Sequence, residues 1–195
     1  MEIRYTDLHG KALTSQEVFI NKFYRKIFEE NNRLRKVEYY EDNVINDTFY
    51  YIEYRSSHQQ LLALNQNTLK VIEIEDLDIN YTKHRSFKYH NGILESKGIE
   101  ICNAEGYLIM TQDLDMETNL PLYNKTYKYF NDNNYEFEFQ YHSSGDLISI
   151  LVSNPNISFY EQYRFSDLGL IPYFDWWQQY SLYYLHAEPS VPNCI

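Results

Sequence analysis

The sequence predicts a mainly β chain of the α+β class: an antiparallel β-meander forming a twisted multi-stranded sheet, with one N-terminal amphipathic helix. Three observations predict it. Tyr 21, Phe 11 and Trp 2 stand against only Gly 6 and Pro 5, and aromatic residues favour a pleated, half-buried surface. After Asn32 the apolar residues recur with a period of two rather than 3.6. Polar turns containing glycine separate the alternating runs.

The elements follow in chain order. A turn at residues 7–11 precedes Thr14-Ser15-Gln16-Glu17, which reads as a capping box opening a helix. Phe19, Phe23 and Ile27 recur at i, i+4 and i+8, widened by Ile20, Tyr24 and Phe28, with Glu17, Lys22, Arg25, Lys26 and Glu29 on the other side. That pattern predicts an amphipathic helix of about four turns, ended by Asn31-Asn32. The clearest strand is residues 135–141. Tyr135, Phe137, Phe139 and Tyr141 share one face there, and Glu136, Glu138 and Gln140 share the other. Residues 71–75 alternate similarly, as do Phe87 with Tyr89 and Ile99 with Ile101. Tyr127 with Tyr129, and residues 49–52, read as further strands. Residues 147–152 are apolar on both sides, the pattern of a strand that is central in the sheet or covered on both faces.

The turns resemble one another. An aromatic or apolar residue, a polar turn, glycine, any residue and then Leu or Ile recur at 5–13, 89–94, 102–109, 141–148 and 165–171. The polar residues start a tight turn and glycine supplies the positive φ. Glu41-Asp42-Asn43 and residues 131–134 read as glycine-free versions, because asparagine tolerates the left-handed region. Successive hairpins of this kind make a meander. These Tyr-turn-Gly-x-Leu units, best kept at Gly92, Gly106 and Gly145, resemble the degenerate MORN-variant repeats of bacterial antitoxin and immunity proteins, and are also similar to the tyrosine–aspartate repeats of large bacterial toxins. The resemblance spans residues 34–171. It implies a cytoplasmic protein that binds and neutralises a cognate toxin, and it supplies no catalytic residues.

The 195 residues suffice for a single domain with its own core. Its parts are the turn and helix of 1–32, the meander of 33–171 and an aromatic C-terminal segment, 172–195. Lys+Arg 17 against Asp+Glu 28 gives a net charge of −11, which excludes a general nucleic-acid binder and a partner for anionic lipid. The N-terminus shows no apolar stretch with a cleavage site, so no secretory signal is expected. Cys102 and Cys194 are too few for a disulfide scaffold or zinc site and read as free thiols in a reducing cytoplasm, a bridge between them being the alternative.

No catalytic, metal or cofactor motif is legible. The histidines, His9, His58, His84, His90, His142 and His186, form no HxxxH pair, and there is no Walker A loop, dinucleotide fingerprint or nucleophile elbow. Asp113, Asp115 and Glu117 stand at i, i+2 and i+4. In an extended segment they could share a divalent cation or act as an acid/base pair, but no EF-hand glycine follows and a solvated face is the simpler reading. Glu73, Glu75, Asp76 and Asp78 form the other cluster. With Glu136 and Glu138 they are either a solubilising face or an acidic docking surface for a basic protein. Many toxins that attack nucleic acid are basic because their substrate is phosphate, and an acidic inhibitor can occupy that cleft without catalysis. Trp176 and Trp177 lie in a stretch whose period fits helix or strand. They either seal the core or form an exposed platform for a partner or a sugar. The expectation is therefore a non-enzymatic toxin-binding protein. The alternatives are a carbohydrate- or ligand-binding β-module and a hydrolase using the clustered carboxylates.

Overall fold

A computed structural model of the protein describes residues 1–64, 68–132, 134–171 and 174–192. Cys194 and residues 133 and 173 lie outside that set, and with them the pairing of the two cysteines and the full 131–134 turn. The chain is mainly β. Its elements are β1 (Glu2–Thr6), α1 (Ser15–Ile20), β2 (Phe23–Glu30), β3 (Arg33–Glu41), β4 (Val44–Glu53), α2 (Gln59–Leu62), β5 (Thr68–Asp76), β6 (Tyr81–His90), β7 (Ile93–Asn103), β8 (Leu108–Leu114), β9 (Pro121–Asp132), β10 (Tyr135–Tyr141), β11 (Leu147–Asn154), β12 (Phe159–Arg164) and α3 (Trp177–Tyr184). The twelve strands hydrogen-bond in chain order and the sheet stays open, ending on β1 and β12.

Two expectations about the elements are corrected. The four-turn N-terminal helix is not formed. Its capping box is present, with Thr14 and Glu17 bonding each other's backbone N–H, but α1 stops at Ile20 and residues 23–30 are β2. A spacing of four is even, so i, i+4 and i+8 share a face of a strand as well as of a helix. Asn31 and Asn32 both have positive φ (53° and 59°) and make a two-residue turn between Glu30 and Arg33, not a helix end. Phe19 and Ile20 are consequently left 79% and 83% exposed. The sheet is also not wholly antiparallel. β4 and β5 pair in parallel, from Thr48↔Leu69 to Glu53↔Ile74, which demands a crossover rather than a hairpin.

The expected turns are largely where the asparagines and glycines put them. Asp42-Asn43 and Asn91-Gly92 have positive φ at both positions. The turns at 7–11, 103–107 and 142–146 share one bonding pattern: the first residue's N–H donates to the fifth carbonyl, and glycine at the fourth donates back to the first. That is a tight turn closed by a left-handed residue. Gly169 differs. It lies in the 3-10 segment Phe165–Leu170, so the last of the five frames is not a hairpin. Gly145 has φ +92°, and an added Cβ would meet the Tyr123 ring at 3.4 Å. Gly145→Ala is therefore expected to cost about 1–2 kcal/mol of stability, the cost of a left-handed side chain, read as a lower urea midpoint.

Contacts gather in two units, residues 1–75 with 85–97, and residues 76–84 with 98–195. In the first unit Tyr24, Ile27, Phe28, Val37, Leu69, Val71 and Ile72 are buried. In the second, Phe137, Phe139 and Tyr141 of β10 and Ile150 and Val152 of β11 pack beneath Tyr183 and Tyr184 of α3. The alternation read at 135–141 is thus present. Residues 147–152 form β11, which lies between β10 and β12; adjacent Ser149 and Ile150, on opposite faces, are both buried, while Ile148 is exposed and Leu151 half-buried.

The C-terminal segment is bolted to the second unit through backbone carbonyls that a helix end leaves unpaired. Lys128 Nζ donates to the carbonyls of Tyr183 (2.6 Å) and His186 (2.7 Å). Tyr141 Oη donates to Tyr184 (2.9 Å) and Gln112 Nε2 to Ala187 (3.0 Å). Trp176 and Trp177 pack into the same core, Trp176 lying 3.9 Å from the Phe130 ring and Trp177 stacked 4.9 Å from Phe174.

Candidate functional site

The polar face of the second unit is built by strand register. Tyr129 of β9 stands opposite Glu138 of β10, which stands opposite Leu151 of β11. The next row is Asn131, Glu136 and Ser153. Paired residues in a ladder share a face, so a tyrosine, two carboxylates, an amide and a hydroxyl converge. Gln140 Nε2 donates to Glu138 (2.9 Å) and Ser153 Oγ to Glu136 (3.4 Å). Burial pushes the Tyr129 phenol up. Its bond with Thr111 pulls it back, and the Glu138 charge adds to the rise.

Tyr107 and Leu108, where the 103–107 turn enters β8, join this face. Together with Tyr129, Asn131, Glu136, Phe137, Glu138, Leu151 and Ser153 they line a cavity of about 340 Å³. A second cavity of about 490 Å³ shares Tyr107, Leu108, Tyr129 and Asn131, and adds Asn103, Tyr180 and other aromatic side chains. The first cavity brings two tyrosines, an amide and two carboxylates into one hollow, the concave form that suits ligands and anchors; the second is lined by Phe130, Tyr180 and Tyr184 of the α3 side.

The other acidic residues are dispersed. Asp113 faces Lys125 at 3.6 Å. Asp115 Oδ1 accepts from the N–H groups of Glu117 and Thr118 and from the Thr118 hydroxyl, which makes it a turn-forming residue. Glu117 is exposed. Among the described residues no group of three His, Cys, Asp or Glu could hold a metal ion. Asp78 caps the turn before β6 through the N–H groups of Asn80 and Tyr81, and Asp76 is exposed. Glu75 pairs with Arg85 at 3.4 Å.

Glu73 is not on a wet face. It is 7% exposed, and its Oε1 lies 2.9 Å from His58 Nε2. The other ring nitrogen of His58 lies 2.8 Å from the Tyr89 hydroxyl, and the ring meets Phe87 edge-on at 4.8 Å. This Glu73–His58–Tyr89 chain belongs to the first unit. Sequence reading missed it because Glu73 and Tyr89 stand 15 and 31 positions from His58, and only the crossover between β4 and β5 brings the histidine over the strand.

No family model, curated protein or solved structure matches this chain. No described helix is long and apolar enough to cross a membrane.

Proposed function

We propose that this is an immunity-type protein that binds a cognate protein toxin with a basic surface and neutralises it by occupying that surface. The supporting observation is the convergence of Tyr107 and Tyr129 with Glu136 and Glu138 in one cleft. Aromatic rings supply contact area and carboxylates supply sign, the combination that anchors protein interfaces. The net charge of −11 speeds encounter with a cationic partner and makes binding salt-dependent. Inhibition by occupancy needs no bond-making group, no metal and no cofactor. It takes place in the cytoplasm, where Cys102 stays a thiol.

The product of the adjacent gene is the toxin to test. Wild type is expected to capture it, and Glu136→Lys with Glu138→Lys to weaken capture at least tenfold, with an unchanged circular dichroism spectrum. If that product is no toxin and no basic protein binds, the reading fails. A second reading, a carbohydrate- or ligand-binding module, has the larger cavity in its favour, since tyrosine rings stack sugars and Asn103 and Asn131 can bond hydroxyls. It no longer rests on Trp176 and Trp177, which pack against the core. A glycan array separates the two readings, because stacking on neutral rings persists at salt concentrations that weaken acidic docking.

A further inference from the structure

We propose that the cleft of the second unit is a socket for a single arginine side chain presented by the basic partner, an inference that rests on the function proposed above. Its walls sort by chemistry. Leu108 and Leu151 offer apolar surface for the methylene stem, Tyr107 and Tyr129 offer ring faces, and Glu138 and Glu136 stand opposite Tyr129 and Asn131 in the ladder. A guanidinium is planar, stacks on aromatic rings and forks to carboxylate oxygens. Lysine brings a compact, strongly hydrated point charge that matches the carboxylates but not the rings. A sugar matches the rings and its hydroxyls can donate to a carboxylate, but being neutral it does not offset the charge of two adjacent ones. Tyr107 is 65% exposed, so the entrance is open and its ring can close over a stem laid beneath it. The only basic group on the facing rows is Arg164, one row on beside Ser149 and Gln140, so the local field is negative among the described residues.

The test uses the whole chain labelled with ¹⁵N and N-acetyl-arginine amide as the probe, with the lysine equivalent and a methyl glucoside as controls. The arginine amide is expected to shift amide resonances concentrated at residues 107, 129, 131, 136 and 138, and to bind at least fivefold more weakly to Glu138→Gln and to Tyr107→Ala. Both variants change surface side chains, and an unchanged spectrum elsewhere checks that they fold. Scattered shifts, equal binding to the variants, or the glucoside shifting these residues in place of arginine would each overturn the socket. If both variants still capture the toxin as tightly as wild type, the socket is wrong and the immunity reading stands. If arginine binds there but no toxin is captured, the socket stands and the immunity reading fails.

Discussion

Phe139→Ala is expected to cost about 3–5 kcal/mol, the range for removing a fully buried aromatic side chain, and to be the most disruptive single truncation in the second unit. Phe139 has no exposed surface, stacks on Tyr184 at 4.1 Å and meets Trp177 at 6.0 Å and Trp176 at 6.1 Å. The lost ring leaves a cavity between sheet and helix that a rigid sheet cannot collapse to fill. Both tryptophans report on that place, so the loss should appear as red-shifted, quenched emission and a lowered urea midpoint. A variant as stable as wild type would mean that α3 does not pack on β10. Glu138→Ala on the opposite face of the same strand should change stability by less than about 1 kcal/mol, as surface substitutions do.

Stability should rise with pH just above neutrality, because of Lys128. Its side chain is wholly buried. Burial pushes the ammonium down to about 7, with the Glu188 charge working against the shift. The unfolded chain holds that proton to about pH 10.4, so between these values the unfolded state binds more protons, and folding stability increases as pH rises. Linkage over that window gives a gain of about 2 kcal/mol from pH 7 to pH 9. The rise ends near pH 10. Burial also raises the phenols of Tyr141, Tyr183 and Tyr184, so the unfolded chain loses those protons first and stability then falls. Urea midpoints for wild type and Lys128→Met decide the matter. The methionine variant should lose the slope below pH 9, whatever its absolute stability, since it also gives up two bonds to the carbonyls after α3. A wild type whose midpoint is flat or falls over that range would show that the carbonyls of Tyr183 and His186 and the Tyr183 ring, 3.9 Å away, hold the charge on Lys128.

Much of the fold was legible before the structure. The alternation at 135–141 is β10 and its dry face is the core, because a strand with one covered face cannot disguise its period. The capping box, the Asn-Gly and Asp-Asn turns and the glycine turns were also readable, since each rests on a backbone conformation few residues adopt. The extent of the helix was not. Phe19, Phe23 and Ile27 fit both periods, and the pairing of β2 with β1 and β3 decided between them. The parallel pairing of β4 with β5 left no local mark, because its crossover is defined by where the chain returns.

The candidate site divides in the same way. The sequence named Glu136, Glu138, Trp176 and Trp177 but could not tell which side chains meet. The tryptophans turned inward because α3 needed an apolar face on the sheet. Tyr107 and Tyr129, never singled out as partners of the carboxylates, came beside them through turn and register. Glu73 went from surface candidate to buried partner of His58 for the same reason. What the sequence by itself determined was a mainly β chain, its turns, the dry face of β10 and its charge, all set by neighbours a few residues apart. Which acidic and aromatic groups share a cleft was decided only by the tertiary structure, because strand register brings together residues that the chain keeps far apart.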